Sequence, residues 1–360
     1  MRYTTTILTN VCRLVLSVTF ILSGYVKAID PLGTQYKITD YLEALSHNGV
    51  FPDWIILSAS ILLAAVEFTL GLLLLFAIQR RVISRAMLAV MIFMTIVTVW
   101  IYFYNPVQDC GCFGDALKLT NGQTLAKNIV LTLCAIAVAA RPLNMPRLIS
   151  RTNQWIIINY TVIFIFVTSL LSLYTLPMFD FRPYHVGADI KKGMEIPEGA
   201  PQPEFETTFI LKKNGVTKEF TLDNYPDSTW EFIDSKTVQT KAGYEPPIHD
   251  FSIMLRSTGE DITQQVLDDK GYTFLLISPY LEHADDGNFG NIEQIYEYAQ
   301  DNNVPFYCLT ASNDKAIRRW QDLTGAEYPF CTTDATTLKT IIRSNPGLVL
   351  IKDGKVIRKW

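Results

Sequence analysis

The chain is poor in cysteine and histidine, with six Cys and four His among its 360 residues. Six cysteines are too few for a fold built on disulfides, so a cysteine that matters should do so by its position. The formal net charge is only −4, and neither half is basic enough to neutralise many phosphates, which excludes a nucleic-acid-binding protein. The sequence also lacks a Rossmann glycine pattern, a P-loop and a haem-attachment Cys-x-x-Cys-His motif, so no covalently bound or nucleotide cofactor is indicated.

The sequence divides near residue 178 into two parts of different composition. Residues 1–177 are strongly apolar and carry 12 basic and 7 acidic side chains, whereas residues 178–360 carry 19 basic and 28 acidic ones. A bilayer core of roughly 30 Å needs about 20 mostly apolar residues in a helix. Five stretches of the first part meet this requirement, which excludes an all-soluble protein. The predicted spans are 7–29, 54–78, 86–104, 124–140 and 154–176.

The first predicted span is a retained helix and not a secretory signal, because it contains Arg13 and lacks a small-residue cleavage site before Lys27. The loops after the second and fourth spans contain six arginines, whereas the loops after the first and third contain two lysines. These residues are Arg80, Arg81, Arg85, Arg141, Arg147 and Arg151, against Lys37 and Lys118. Basic residues accumulate in cytoplasmic loops. We therefore predict a bacterial inner-membrane protein with a cytoplasmic N-terminus and a periplasmic second part.

The loop between the third and fourth spans contains Cys110-Gly111-Cys112, on the predicted periplasmic face. Two thiols separated by one glycine can close a small strained disulfide ring, and such a bond is easily reduced. Nearby lysines would lower a thiol pKa and nearby aspartates would raise it. These charges are Lys27, Lys118, Lys127, Asp109 and Asp115. The motif predicts an exchangeable dithiol, with two alternatives: half of a metal site, for which no nearby His or Cys supplies the other ligands, or two inert thiols.

Glu67 lies in the middle of the second span, where an ionised side chain costs about 2.5 to 3.5 kcal/mol on insertion scales. Helix geometry places Arg13 within reach of it, so we predict this partner, either fixing helix packing or forming part of a proton relay. Trp100 and Tyr104 end the third span just before the dithiol. They are typical of an interfacial aromatic belt, and a quinone pocket is the alternative.

Three segments resemble the four-helix membrane proteins of the DoxX and methylamine-utilisation MauE group: 23–31, 65–71 and 109–114. The resemblance covers about residues 7–140. It implies a redox component, since DoxX-type subunits are associated with thiosulfate and quinone chemistry and MauE-type proteins with disulfide formation in a periplasmic client. We therefore predict that Cys110 and Cys112 are catalytic. Glu67, Trp100 and Tyr104 are the candidate residues for contact with a membrane quinone.

The second part alternates predicted strands and helices after a linker rich in Pro, Gly and charge. Asn214-Gly215 predicts a hairpin between strands at 205–211 and 216–222. Further predicted strands are 251–255, 272–278 and 304–310, the helices are 262–269, 292–301 and 315–324, and a final hairpin pairs 347–351 with 356–360. This order predicts an α/β domain.

Residues 248–360 resemble the C-terminal half of thioredoxin-like domains of the peroxiredoxin and TlpA kind, and Pro346 stands where that family carries a cis-proline. The family places Cys-x-x-Cys after the central strand, whereas this chain has Pro-Tyr-Leu-Glu-His-Ala-Asp at 279–285, with His283 as a loop residue. The other cysteines, Cys12, Cys134, Cys308 and Cys331, are predicted core residues, with a partner-thiol role left open for Cys331.

The predicted fold is an all-α transmembrane bundle of four helices at 1–145, a fifth linking helix at 146–178 and a linker at 179–203. Residues 204–360 follow as an extracytoplasmic β-hairpin lead-in and an α/β thioredoxin-like domain. The predicted function is electron exchange between the Cys110 and Cys112 pair and a membrane quinone, while the second domain docks a periplasmic thiol client. One alternative is a non-catalytic membrane anchor that displays a binding module. Another is a subunit of a sulfur-compound:quinone oxidoreductase. No metal site is predicted.

Overall fold

The computed structural model describes residues 2–45, 50–105, 107, 110–201, 204–213, 216–221, 224, 226, 229–241 and 243–360. Asp109 and the turn Asn214-Gly215, which the sequence analysis used, lie outside the described residues. The chain forms two compact units. The first consists of Met1–His185, Ile341–Ser344 and Trp360, and the second of Val186–Thr340 and Asn345–Lys359.

Among the described residues of the first unit, five helices are long and apolar enough to cross a membrane. They are α1 (Arg2–Ile29), α3 (Asp53–Leu75), α4 (Arg80–Tyr104), α5 (Asn121–Ala140) and α6 (Gln154–Tyr174). Each of the five predicted spans is therefore confirmed as a helix. The predicted spans are shorter than α1 and α4, because both helices begin with polar residues that precede their apolar stretch.

A further helix, α2 (Pro31–Ala44), follows α1 directly and is not predicted by the sequence analysis. The Asp30 carboxylate caps it by accepting a hydrogen bond from the backbone N–H of Gly33, and Pro31 occupies its first turn. Its mixed polar composition does not produce the long apolar run for which spans were searched. The helix carries Tyr41, whose hydroxyl donates a hydrogen bond to the carbonyl oxygen of Cys110.

Helices α1 and α3 approach each other closely at two glycines. A Cβ atom on Gly24 would lie 2.4 Å from the backbone nitrogen of Phe68, and one on Gly71 would lie 2.8 Å from that of Ile21. Small residues allow this backbone contact between membrane helices. The two contacts fix which residue of α3 faces which residue of α1.

Helices α4 and α5 are joined by side-chain hydrogen bonds as well as by apolar packing. The Asn128 amide donates to the Thr98 hydroxyl at 3.2 Å, and the hydroxyls of Thr95 and Thr132 are 2.7 Å apart. An apolar core shared by α1, α3, α4 and α5 surrounds these bonds. Its fully buried members include Leu16, Leu74, Met87, Ala135 and Val138.

A six-stranded sheet forms the centre of the second unit, with the order β4-β7-β6-β5-β8-β9. Its strands are β4 (Met254–Leu255), β5 (Tyr272–Ser278), β6 (Phe306–Thr310), β7 (Phe330–Thr332), β8 (Gly347–Lys352) and β9 (Lys355–Lys359). β5, β6 and β7 are parallel, whereas β8 is antiparallel to β5. The helices of this unit are α7 (Ile190–Met194), α8 (Thr263–Asp268), α9 (Phe289–Asp301), α10 (Asp314–Thr324) and α11 (Ala335–Ile341).

A separate three-stranded sheet has the order β2-β1-β3. Its strands are β1 (Glu204–Lys213), β2 (Val216–Thr221) and β3 (Glu231–Lys241). The antiparallel pairing of Lys213 with Val216 confirms the predicted hairpin. The sequence analysis misses β3 and the short β7, because neither shows a clear period-two alternation of apolar residues. The peptide bond between Asn345 and Pro346 is cis, as the resemblance implied.

Candidate functional site

The loop between α4 and α5 is held at both ends. α4 ends at Tyr104 and is followed by Asn105, a residue with φ +43°, and α5 begins with a capping box between Thr120 and Gln123. The Asn121 side chain donates to the side-chain oxygen of Asn105 at 2.7 Å and to the Val107 carbonyl at 2.9 Å. These bonds tie the two ends of the loop together.

Cys110 and Cys112 face each other within this loop, with their Sγ atoms 3.0 Å apart. Gly111 between them has φ +64°, a conformation that L side chains adopt with strain. A Cβ atom there would also lie 3.1 Å from Cγ of Lys37. Cys112 is buried and Cys110 is half-buried. The geometry therefore gives an adjacent thiol pair in which Cys110 is the more accessible sulfur.

The backbone of the dithiol is anchored by side chains from α1 and α2. The carbonyl oxygen of Cys112 accepts a hydrogen bond from Lys27 Nζ at 2.7 Å and lies 2.6 Å from the Ser23 hydroxyl. The carbonyl oxygen of Cys110 accepts one from the Tyr41 hydroxyl at 2.9 Å. Each cysteine carbonyl thus has a side-chain donor outside its own loop.

Glu67 completes a buried polar cluster under the dithiol. Its Oε2 atom lies 2.7 Å from Lys27 Nζ and 2.7 Å from Ser23 Oγ, and the side chains of Glu67 and Lys27 are only 3% and 4% exposed. The Lys27 ammonium also donates to Ser23 Oγ, so its three donors reach Ser23, Glu67 and the Cys112 carbonyl. A buried ion pair satisfied in this way is costly to break.

The prediction that Arg13 is the partner of Glu67 is wrong. Glu67 pairs with Lys27, and Arg13 instead donates to the side-chain oxygen of Asn10 at 3.1 Å. The physical reason is the register of α1 against α3. The close contact at Gly24 places the last turns of α1, and not its first turns, opposite Glu67.

The hydrogen bond between the two sulfurs, and after it the charges around the loop, give the two thiols different pKa values. The hydrogen bond with Cys110, and then the charges of Lys127 and Lys27, lower the pKa of Cys112 to about 6, against burial and Glu67. The hydrogen bond with Cys112 and burial raise the pKa of Cys110. Lys127 and Lys27 act in the expected direction, whereas Lys118 is not among the groups that shift this pKa. Cys112 is therefore the sulfur that carries the negative charge of a singly ionised pair.

Lys127 is positioned by the motif itself, since its Nζ lies 4.7 Å from the centroid of the Phe113 ring. Asp115, which follows the motif, is 3.4 Å from the guanidinium of Arg343, a residue of the first unit. The same guanidinium pairs with Asp30 at 2.8 Å. Asp115 is thus paired with a cation within the first unit.

The three residues predicted to contact quinone occupy different environments. Glu67 is buried between α1 and α3 and engaged with Lys27. Tyr104 is 75% exposed at the end of α4, and its ring centroid lies 6.3 Å from that of the half-buried Trp100. Tyr102 and Phe103 beside them are also exposed, so this end of α4 presents an aromatic surface to its surroundings. Quinone contact stays a prediction.

Ser23 and Tyr41 are site residues that the sequence analysis does not identify. Ser23 precedes Lys27 by four residues, so the two lie on the same helix face, and this spacing was the available signal. Tyr41 lies on the unpredicted α2 and gives no signal. Among the described residues, no group of three or more His, Cys, Asp and Glu side chains forms a metal site.

The second unit offers a different setting for its two cysteines. Cys308 on β6 and Cys331 on β7 are fully buried, which confirms their predicted place in the core. Burial raises the pKa of Cys331 to about 12 and also raises that of Cys308. His283 lies in a single helical turn, Leu281–His283, after β5. Neither cysteine is set up to react as a thiolate.

Comparisons with known proteins agree with the resemblance of the helical region. Residues 5–141 match the family described as methylamine utilisation protein MauE, and residues 205–242 match a domain of unknown function. No curated protein matches the chain. The solution structure of a putative protein disulfide isomerase from Bacteroides thetaiotaomicron is similar at 16% identity and a TM-score of 0.25, covering 31% of this chain and 74% of that one. The helical unit is thus similar over residues 5–141 to a membrane protein family.

Proposed function

We propose that the protein is a membrane thiol–disulfide oxidoreductase whose redox pair is Cys110 and Cys112. The observation that carries the proposal is the geometry of the loop, in which two sulfurs lie 3.0 Å apart. The loop is held in place by the hydrogen bond that Lys27, itself paired with Glu67, donates to the Cys112 carbonyl. The similarity of residues 5–141 to MauE supports a membrane setting for this chemistry.

In the oxidised protein, a thiolate of a client dithiol attacks Sγ of Cys110, the more accessible sulfur. The Cys110–Cys112 bond breaks, and its electron pair goes to Cys112. A thiol of low pKa is the better leaving group, and Lys27 and Lys127 stabilise the Cys112 thiolate. The second client thiolate then attacks the mixed disulfide and releases Cys110. The client loses two electrons and two protons, and the cysteine pair gains them.

Regeneration of the disulfide needs an acceptor of two electrons and two protons, and a membrane quinone supplies this chemistry when it is bound. Of the predicted contact residues, Trp100 and Tyr104 fit a flat lipid-soluble ring, since they form a partly exposed aromatic surface at the dithiol end of α4. Glu67 is already engaged with Lys27 and Ser23. We assign it the role of positioning Lys27 under the loop.

The second unit docks the client in this proposal. Its parallel β5, β6 and β7 and the antiparallel β8 and β9 follow the strand arrangement of thioredoxin-like domains, with a cis-proline before β8. It has no Cys-x-x-Cys after β5, so it contributes a surface and not a redox pair. The predicted orientation, with the N-terminus in the cytoplasm and this unit in the periplasm of a bacterial inner membrane, is supported by the arginine distribution.

The test is to trap the thiol state of Cys110 and Cys112 in cells with acid and then to label free thiols with a mass-tagging maleimide. We expect the pair to be oxidised normally and to become reduced when quinone synthesis is blocked. Cys110→Ser and Cys112→Ser should abolish client oxidation. Cys134→Ser, within the apolar bundle, is the matched control and should leave client oxidation unchanged.

Other outcomes would assign a different function. A pair that stays in one redox state with and without quinone, together with an active Cys110→Ser variant, would contradict the proposal and favour a non-catalytic anchor. Thiosulfate-dependent quinone reduction by purified protein, without client oxidation, would instead identify a subunit of a sulfur-compound oxidoreductase.

A further inference from the structure

The end of the helical unit opposite the dithiol has an unusual charge composition. Residues 1–177 contain eight arginines, and six of them lie in the segments 76–85 and 141–154. None of the four lysines of this part, Lys27, Lys37, Lys118 and Lys127, lies in these two segments. The segments 76–85 and 141–154, which join α3 to α4 and α5 to α6, contain no Asp or Glu. The arginine charges at this end therefore have no acidic residue in their own segments to balance them.

A cavity of about 540 Å³ lies among these arginines. Its lining combines four arginines with glutamines and apolar side chains. The arginines are Arg80, Arg81, Arg147 and Arg151, and Val82 and Leu143 are among the apolar residues. The size falls in the range of small-molecule sites, about 300 to 1,000 Å³.

One of the four arginines has a structural role. Arg80 donates from Nη1 to the Leu143 carbonyl at 3.2 Å and to the Met145 carbonyl, which holds the segment after α5 against the start of α4. In the described part of the chain, no carboxylate pairs with Arg81, Arg147 or Arg151, and all three are exposed. Arg80 also experiences the positive charges of these three residues. Like charges gathered in this way favour an anion between them.

The backbone adds to this preference. The turn before α4 has left-handed residues at Ala77 and Gln79, with φ values of +54° and +40°, and α4 begins at Arg80. The positive end of the helix dipole is thus at the cavity, where backbone N–H groups attract anions. Arginine binds phosphate and carboxylate groups through paired N–H donors.

We propose that this cavity binds the phosphate headgroup of an anionic phospholipid. The lipid source is favoured by the apolar part of the lining, because Val82 and Leu143 are 61% and 59% exposed and offer contacts to an acyl chain that free phosphate would not use. Basic pockets between membrane helices are suited to such headgroups. The site is independent of the dithiol chemistry proposed above.

The test is native mass spectrometry of the purified full chain in detergent, titrated with palmitoyl-oleoyl phosphatidylglycerol or with the zwitterionic phosphatidylcholine of the same chains. We expect one phosphatidylglycerol to be retained in preference to phosphatidylcholine. Arg81→Gln/Arg147→Gln should weaken this binding by about 30-fold, since each cation near an anionic lipid contributes roughly fivefold. The matched control is Arg85→Gln/Arg141→Gln, which removes the same charge from exposed residues of the same two segments outside the cavity.

A second pair of variants keeps every arginine and so keeps the signals for membrane insertion. Leu143→Glu places a carboxylate in the cavity lining and should abolish retention, whereas Leu148→Glu, on an equally exposed leucine outside the lining, should not. Equal loss in the control variants, or equal retention of phosphatidylcholine, would overturn the proposal. Inorganic phosphate that displaces the lipid at equal concentration would also overturn it, in favour of a soluble anion.

Discussion

The cysteines of the two units show how strongly surroundings decide the chemistry of a thiol. Cys110 and Cys112 lie in a loop, 3.0 Å apart, beside Lys27 and Lys127. Cys331 lies fully buried in β7, within the six-stranded sheet of the second unit. The local environment lowers the pKa of Cys112 and raises that of Cys331. Reactive thiols are thus expected in the helical unit and not in the sheet.

The comparison also shows why the buried charges of the first unit are needed. Fixed cations and hydrogen bonds held near a thiolate lower the pKa of its thiol. Lys27 is such a cation, and Glu67 makes its burial tolerable by pairing with it. For Cys331 in the second unit, burial is the cause of the raised pKa.

The largest expected effect is on the reactivity of the two thiols with iodoacetamide in the reduced protein. The thiolate reacts and the thiol does not, so at pH 7 Cys112 should be alkylated at least about a thousandfold faster than Cys331. The measurement is mass spectrometry of quenched samples between pH 5 and pH 9. Cys331 should react only after unfolding. A Cys112 rate that rises only near pH 9 would contradict the proposed environment.

The same shifts predict opposite effects of pH on stability. The pKa of Cys112 is lowered from 9.0 to about 6, so its stabilising contribution is present above pH 9 and is lost as the pH falls through about 6. The pKa of Cys331 is raised to about 12, so its contribution is present below pH 9 and is lost as the pH rises through about 12. Cys112→Ser should therefore flatten the pH dependence of unfolding of the reduced protein between pH 6 and 9, and Cys331→Ala should not.

The next effect is loss of the buried ion pair. Lys27→Met leaves the Glu67 carboxylate without its cation and should destabilise the helical unit by about 3 to 5 kcal/mol. The variant should also raise the pKa of Cys112, so that this thiol reacts more slowly at pH 7, as Cys331 does. Thermal unfolding in detergent measures the first effect and the alkylation profile the second.

Two further variants separate charge loss from general damage to the loop. Lys118→Met removes an exposed lysine of the same loop and should change neither measurement. The double variant Lys27→Met/Glu67→Leu should recover part of the stability but not the lowered pKa of Cys112. If the double variant were as unstable as Lys27→Met, the ion pair would not be the cause.

The smallest expected effect is at Gly111. Gly111→Ala forces a side chain into a left-handed conformation, at a cost of about 1 to 2 kcal/mol, and pushes against Lys37. Gly259 in the second unit is the matched control, because it has φ +73° and nothing within 4 Å of a Cβ atom. Gly259→Ala should cost about as much backbone strain. Only Gly111→Ala should change the redox midpoint of the cysteine pair, measured by equilibration with glutathione.

Much of the fold follows from local sequence patterns. The five spans and the central strand β5 are recognisable because a long apolar run has few other structural solutions. The pattern fails for α2, whose side chains are mixed, and for β3, which lacks alternation. The predicted topology of the spans also identifies four residues as parts of one site, because they lie on the same face of the membrane. They are Cys110, Cys112, Lys27 and Lys127.

The sequence by itself therefore determined the membrane helices, the dithiol and the face on which its lysines lie, because hydropathy and spacing act within one segment. Only the tertiary structure decided the partner of Glu67. That choice depends on the axial register of α1 and α3, which backbone contact at Gly24 and Gly71 sets. The axial register between two helices depends on contacts between distant parts of the chain, so the spacing of residues within either helix does not determine it.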